Sequence, residues 1–244
     1  MKTVILAGGS GTRVSEESFQ RPKTMIEIGG APMLRHIMKY YAHYGFCDFI
    51  VCCGYKGYVI KEYFASLHRA DITFDFGAGD MTVTRGGGAE PWTVTLVDTG
   101  SQTGAQFRRV SAYVGEEPFM LAYGDGIGDV DLNALLERHK GFGAAATLTA
   151  VRPDGYKPDI NHAAWFRVKP KDDICWVNAG FMVMEPEVFG YGISLEDGLM
   201  NRLAQEGKLG IYKHDGFWQC MDTLRDKALL DELLRKNEAP WKVW

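Results

Sequence analysis

The chain has 244 residues, of which 46% are hydrophobic and 24% charged, a composition typical of a globular protein built on one generous α/β domain. Its formal net charge of −4, without any dense cluster of Lys and Arg, argues against a nucleic-acid-binding surface. The five cysteines show no Cys-x-x-Cys spacing, which argues against a zinc site and a disulfide framework and fits a reducing compartment. The first apolar run, 4–7, is too short for a signal peptide or a membrane span, so a cytoplasmic protein is expected.

The predicted elements alternate between strands and helices over most of the chain. A strand is predicted at 3–7, then a helix over 31–44, a strand at 48–53, a helix over 57–66 and short strands at 72–76 and 93–97. Between those short strands, the glycine-rich segment 76–90 is either a mobile loop or a hairpin. A helix over 104–114, a strand at 118–123, a helix capped by Asp131, strands at 145–151 and 176–184, and an amphipathic helix over 223–236 follow.

This order predicts an α/β fold class. The expected architecture is a Rossmann-like, mostly parallel sheet flanked by helices, completed by a smaller α+β portion. Because no internal repeat or low-complexity linker interrupts the sequence, we expect a single domain over 1–244.

A glycine-rich segment, 6–13, directly follows the first predicted strand and reads Leu-Ala-Gly-Gly-Ser-Gly-Thr-Arg. Glycines allow the backbone to approach a ligand and offer amide donors, and Arg13 adds a planar fork suited to phosphate oxygens. Lys23 follows ten residues later and could reach the same phosphates. The segment matches neither the P-loop nor the dinucleotide fingerprint, and a plain strand-to-helix turn is the alternative.

Two aspartates are candidate metal ligands. Asp125 lies between two glycines at the carboxyl end of a predicted strand, which is where open α/β sheets bind ligands. Asp222 precedes the last predicted helix. Together they could share one Mg²⁺. Asp125 could instead stabilise a Gly-Asp-Gly turn, and Asp222 could be the helix N-cap.

These motifs, together with Arg21-Pro22-Lys23 and Gly124-Asp125-Gly126, resemble those of the sugar-phosphate nucleotidyltransferase family. Segments 50–64, 91–100, 213–219, 221–227 and 239–244 are similar to family members that transfer CMP from CTP to a hexose 1-phosphate such as glucose 1-phosphate. The resemblance covers nearly the whole chain and is most specific at 218–223, which reads Trp-Gln-Cys-Met-Asp-Thr.

The resemblance implies a nucleotide-diphospho-sugar transferase fold with a nucleotide-binding part over 1–130 and an acceptor-binding part over 131–244. It implies that Asp125 and Asp222 bind Mg²⁺, and that they act in catalysis with Arg13 and Lys23. It implies that CTP is bound by Leu6, Ala7, Gly8, Gly9, Gly11, Thr12, Arg13, Lys23, Thr103 and Gly124. It assigns the acceptor to Lys169, Asn178 and Trp218.

The acceptor half departs from the family pattern. Val168 replaces a glutamate before Lys169-Pro170, and Ala179 replaces a glycine after Asn178. Two alternatives therefore stay open: a cytidylyltransferase for another, even non-sugar, phosphorylated acceptor, and a non-catalytic nucleotide-binding protein. A homo-oligomer is also expected, with Trp241 and Trp244 at a subunit contact; the alternative is that they cover the core of their own chain. Neither a nucleic acid nor a membrane is expected as a partner.

Overall fold

We analysed a computed structural model of the chain. It describes residues 1–8, 21–67, 71–75, 77, 80–84, 90–100, 103–152, 165–166, 176–193 and 195–244. All structural statements below concern these ranges.

Strands and helices alternate along the described chain. The helices are α1 Met33–His43, α2 Gly57–Leu67, α3 Thr103–Val114, α4 Leu132–Phe142, α5 Met200–Gln205 and α6 Leu224–Lys236. The strands of the first half are β1 Lys2–Leu6, β2 Glu27–Ile28, β3 Ala31–Pro32, β4 Asp48–Cys53, β5 Asp71–Asp75, β6 Asp80–Thr84, β7 Thr93–Asp98 and β8 Phe119–Tyr123. Those of the second half are β9 Gly126–Gly128, β10 Ala146–Val151, β11 Trp165–Phe166, β12 Trp176–Met184, β13 Leu209–Lys213 and β14 Trp218–Cys220.

One central sheet spans both halves of the chain in the order β13-β10-β12-β8-β1-β4-β7, and β11 pairs with part of β12. The pairs β1–β4, β1–β8, β4–β7 and β10–β13 are parallel, whereas β12 runs antiparallel to both β8 and β10. The predicted α/β class with a mostly parallel sheet is therefore confirmed. The carboxyl ends of β1, β4 and β8 lie at one edge of this sheet, which is where open α/β sheets place their ligands.

Both faces of the sheet are buried. Adjacent residues of its central strands point to opposite sides, and each side packs against a core of its own. Ile5 and Val51 face one core with side chains of α1, α4 and α6, while Val4 and Ile50 face a second core with side chains of α3 and α5. This two-sided burial explains why the sequences of β1 and β4 contain continuous apolar runs rather than alternating apolar and polar residues.

The predicted elements agree with the structure to within one or two residues at most ends. Asp131 caps α4 as predicted, since its carboxylate accepts hydrogen bonds from the amides of Asn133 and Ala134 at 3.0 and 2.9 Å. In segment 76–90, the described residues include β6, which pairs antiparallel with β5 as a hairpin.

The predicted subunit contact at the C-terminus is wrong for one of its two tryptophans. Trp241 is fully buried in the protein's own core and stacks on Phe217, with ring centroids 5.4 Å apart. Trp244 is 37% exposed.

Within the described ranges, every helix is too short or too polar to span a lipid bilayer.

Candidate active site

The backbone brings three distant segments together at the carboxyl edge of the sheet. Gly8 follows β1 and Asp125 follows β8, and these two parallel strands are hydrogen-bonded neighbours. Asp222 reaches the same place because β14 pairs with β9, so that Cys220 lies opposite Gly126 and the amide of Met221 donates to the Asp125 carbonyl at 2.8 Å. Two carboxylates nearly a hundred residues apart in the chain therefore face one site.

Lys23 lies between these two carboxylates. Its ammonium nitrogen is 2.9 Å from an oxygen of Asp125 and 2.5 Å from an oxygen of Asp222. The lysine is 8% exposed and belongs to a short 3₁₀ turn, Lys23–Met25, that packs against the core. The structure thus brings together three of the four predicted catalytic residues.

The surroundings of Lys23 stabilise the charged form of its ammonium group. Burial by itself lowers the pKa of the ammonium, but the negative charges of Asp125 and Asp222 outweigh burial and place the pKa above its usual value. Lys23 therefore stays protonated over the physiological range and supplies a permanent positive charge between the carboxylates.

Asp222 is not the N-cap of α6, so that alternative is wrong. The cap is Thr223, whose hydroxyl accepts from the amide of Asp226 while the Asp226 carboxylate accepts from the amide of Thr223. Asp226 also accepts from the Asp222 amide at 3.0 Å. This capping box fixes the backbone at Asp222 and leaves its carboxylate directed to Lys23.

Asp125 could also have stabilised the Gly-Asp-Gly turn through its own side chain. Within the described residues its carboxylate instead accepts a hydrogen bond from the Lys23 ammonium at 2.9 Å. The adjacent Gly124 fits tightly. A Cβ at this position would lie 2.6 Å from the carbonyl oxygen of Leu6 and would collide with the methyl group of Thr24. Gly124 thus lets the chain after β8 pass close to the end of β1, where the Gly124 amide donates to the Leu6 carbonyl at 3.1 Å.

Gly124→Ala is expected to lower the free energy of unfolding by about 1–3 kcal/mol, because the added methyl group meets a backbone carbonyl that cannot rotate away. Gly141→Ala is the matched control, since a Cβ there meets nothing within 4 Å and alanine favours the helix. Urea denaturation of the two variants measures the difference. Equal stability would contradict the close approach described for Gly124.

Cys220 is a neighbour that the sequence did not point to. Its sulfur and one oxygen each from Asp125 and Asp222 lie within 4.8 Å of one another. Burial raises the pKa of the thiol well above its usual value, Asp125 raises it further, and Lys23 acts in the opposite direction. Cys220 is therefore a neutral thiol in this structure.

Two of the predicted acceptor-binding residues lie beside each other. Trp218 extends over Gly126, and its indole N–H donates to the carbonyl of Ala179 at 2.9 Å. Asn178 is 6% exposed, and its amide accepts from the Gly180 N–H at 2.9 Å and donates to the Tyr123 hydroxyl at 3.4 Å. In this structure the Asn178 side chain thus stabilises the backbone of β12 at Gly180, which has a positive φ of 79°.

A histidine–aspartate pair adjoins this region. The Nε2 atom of His214 is 2.9 Å from a carboxylate oxygen of Asp129, one residue beyond β9. The Asp129 amide in turn donates to the Phe217 carbonyl at 3.1 Å. The pair therefore links the β9–β14 strand pair to the end of β13, a connection that sequence spacing could not reveal.

Other predicted site residues lie outside the described part of the chain: Gly9, Gly11, Thr12, Arg13 and Lys169. Among the remaining predicted nucleotide-binding residues, Ala7 and Gly8 are buried and Leu6 is half-buried at the end of β1. Thr103 opens α3.

The donor set at this edge suits a hard divalent cation. Asp125 and Asp222 offer carboxylate oxygens, the ligands that Mg²⁺ prefers, and each keeps about a quarter to a third of its side chain exposed. The Lys23 ammonium already shows that a positive charge is favourable between them. The residues present therefore fit a metal that also takes ligands from water and phosphate.

Comparisons with known proteins agree with this geometry. The nucleotidyl transferase family model matches residues 2–159. The glucose-1-phosphate cytidylyltransferase of Salmonella typhimurium (strain LT2) is 49% identical over 257 aligned positions that cover 100% of both chains. A probable glucose-1-phosphate cytidylyltransferase of Bacillus subtilis (strain 168) is 37% identical, again over 100% of both chains. The solved structure of a UDP-glucose pyrophosphorylase from Acinetobacter baumannii shares the fold at a TM-score of 0.69 and 16% identity, covering 98% of this chain and 95% of that one.

Proposed function

Because the chain belongs to the nucleotidyl transferase family and has the nucleotide-diphospho-sugar transferase fold, we propose that it transfers CMP from CTP to glucose 1-phosphate. The products are CDP-glucose and pyrophosphate. The observation that carries this proposal is the meeting of Asp125, Asp222 and Lys23 at the ligand-binding edge of the sheet. The full-length similarity to two glucose-1-phosphate cytidylyltransferases supports the choice of nucleotide and acceptor.

The reaction needs positioning more than proton transfer. A phosphate monoester has a second pKa of about 6, so the acceptor is largely a dianion at neutral pH and is already a nucleophile. One of its phosphate oxygens forms a bond to the α-phosphorus of CTP, while the bond from that phosphorus to the oxygen bridging to the β-phosphorus breaks. Pyrophosphate leaves with the electron pair. No general base is required, and positive charge is the main demand on the site.

We assign the metal to Mg²⁺, held by Asp125 and Asp222, where it would neutralise phosphate charge during the transfer. Lys23 contributes the second positive charge: its ammonium can turn from the two carboxylates to phosphate oxygens once a triphosphate is present. Arg13 and the glycines of 8–11 are proposed to bind the phosphates, as the motif suggests.

The acceptor is proposed to bind on the side of Trp218 and Asn178, with Lys169 on its phosphate. Trp218 presents a half-buried indole beside Gly126, next to the metal-binding carboxylates. In this arrangement the first half, 1–130, holds the nucleotide and the second half, 131–244, completes the acceptor site within a single domain. We also propose a cytoplasmic homo-oligomer that needs neither a nucleic acid nor a membrane.

A matrix of substrates tests the proposed specificity. Pyrophosphate release is measured with CTP, UTP, GTP and dTTP, each combined with glucose 1-phosphate, mannose 1-phosphate or glycerol 3-phosphate. We expect CTP with glucose 1-phosphate to give the highest kcat/KM, by at least roughly tenfold. A preference for glycerol 3-phosphate would replace the sugar acceptor with the non-sugar alternative. CTP binding without pyrophosphate release in any combination would contradict the enzymatic proposal.

A further inference from the structure

A second concave site lies away from the carboxylates. It is a cleft of about 390 Å³ between the β2–β3 turn, α1, α6 and the C-terminal segment. That volume falls in the range of small-molecule sites. The residues lining the cleft include none of those assigned above to catalysis, nucleotide, acceptor or metal. The proposed function therefore leaves the cleft unexplained.

The lining of the cleft is rich in positive charge. Four basic side chains face one acidic residue, Asp231, and they are Arg35, Lys39, Arg235 and Lys242. Asp231 is already engaged, since it accepts from the Gly29 amide at 2.7 Å and pairs with Lys227 at 2.9 Å.

Nearby carboxylates neutralise these cations only in part. Arg35 and Lys39 share the single carboxylate of Glu90, at 3.3 and 3.0 Å. Arg235 pairs with Glu232 at 2.6 Å. For the exposed Lys242, the described residues offer no ion pair within 4.0 Å. Among side chains, the lining of the cleft thus carries four positive charges against one negative charge, an excess that an anion could balance.

His36 lies in the wall of the cleft, close to the same positively charged side chains. Its Nε2 atom lies 2.9 Å from the Ile28 carbonyl, and Nδ1 is buried without a hydrogen-bond partner in the described structure. Burial lowers the pKa of the imidazole, the Ile28 bond opposes this, and the positive charges of Arg35, Lys242 and Lys39 lower the pKa further. Three cations from two parts of the chain therefore converge on this wall.

An aromatic side chain completes the cleft. The Trp244 ring lies 6.0 Å from the Lys39 ammonium and 5.9 Å from the His36 ring centroid, and 37% of the residue is exposed. Leu234 adds an apolar surface. A flat or apolar group could rest on these side chains while an anionic group faces Lys242 and Arg35.

We propose that this cleft binds a small organic phosphate, with the phosphate near Arg35 and Lys242 and the ring or apolar part against Trp244. CMP is a suitable probe because it carries both a phosphate and a flat ring. Binding here is separate from the catalytic site and does not depend on the proposed reaction.

Fluorine NMR of the full chain labelled with 5-fluorotryptophan tests this directly. The protein has six tryptophans, and Trp244→Phe and Trp218→Phe assign the two resonances that matter. Trp244 reports the cleft and Trp218 reports the candidate active site. We expect CMP to shift the Trp244 resonance saturably, and cytidine, which lacks the phosphate, to leave it unshifted.

Two single-lysine variants supply the matched comparison. Lys242→Ala should weaken CMP binding at Trp244 by roughly tenfold, because a charged contact to the phosphate is lost. Lys236→Ala removes another exposed lysine, one that does not line the cleft, and should leave binding unchanged. An unshifted Trp244 resonance, an equal response to cytidine, or equal affinity in the two variants would overturn the proposal. A shift of Trp218 alone would also overturn it, while leaving the proposed active site intact.

Discussion

Asp125→Asn and Asp222→Asn are each expected to lower pyrophosphate release from CTP by about 10²–10³-fold. Asparagine keeps nearly the same shape but removes the negative charge that the divalent cation needs. Since the two carboxylates converge on the same ammonium, losing either one leaves the site with a single charged ligand. Steady-state assays with varied Mg²⁺ should show the loss, and electron paramagnetic resonance with Mn²⁺ should show weaker metal binding in both variants.

The control for these substitutions is Asp131→Asn, which removes a carboxylate from the α4 N-cap, where asparagine caps equally well. Its activity and Mn²⁺ affinity should match those of the unaltered protein. Retention of activity by either Asp125→Asn or Asp222→Asn would remove that carboxylate from the mechanism.

Lys23→Met is expected to lower activity by a similar 10²–10³-fold and, in addition, to make stability depend on metal. Without the ammonium, two carboxylates face each other unneutralised, so the free energy of unfolding without metal should fall by about 1–3 kcal/mol. Added Mg²⁺ should then raise the melting temperature of the variant more than that of the unaltered protein, because the metal binds only the folded site. Thermal unfolding with and without Mg²⁺ measures both effects.

Lys227→Met is the matched control for Lys23→Met. Lys227 is also a partly buried lysine paired with an aspartate, Asp231, but it lies on α6 outside the candidate active site. Its substitution should change neither activity nor the effect of Mg²⁺ on stability. If Lys23→Met unfolds at the same temperature with and without Mg²⁺, the ammonium does not substitute for a cation between the carboxylates.

Much of the fold could be predicted because its strands and helices carry strong local signals. β8 is an uninterrupted apolar run, and β4 after Asp48 and β1 after Thr3 are apolar too, as expected of strands buried on both faces; α4 begins at a strong N-cap. The short strands β9 and β14 gave no such signal, because Gly126 and Gly128 have no side chains and three residues are too few for a periodic pattern. They form because long-range pairing holds them, and sequence spacing does not encode that pairing.

The candidate site was predictable in identity but not in detail. The sequence motifs pointed to Lys23, Asp125 and Asp222 before the resemblance gave them roles, and the structure brings all three together. That Thr223 rather than Asp222 caps α6 depends on which of two adjacent residues adopts the extended backbone of an N-cap, a choice that propensity leaves open. Cys220 was missed because its approach to Asp125 follows from the β9–β14 pairing alone. The burial of Trp241 under Phe217 likewise depends on tertiary packing.

The most direct test is a crystal grown with Mn²⁺ and a CTP analogue that cannot be cleaved, with the metal located by its anomalous scattering. The account predicts a metal peak bound by carboxylate oxygens of both Asp125 and Asp222, with Lys23 turned toward the phosphates. A metal bound elsewhere, with Lys23 still between the two carboxylates, would contradict it.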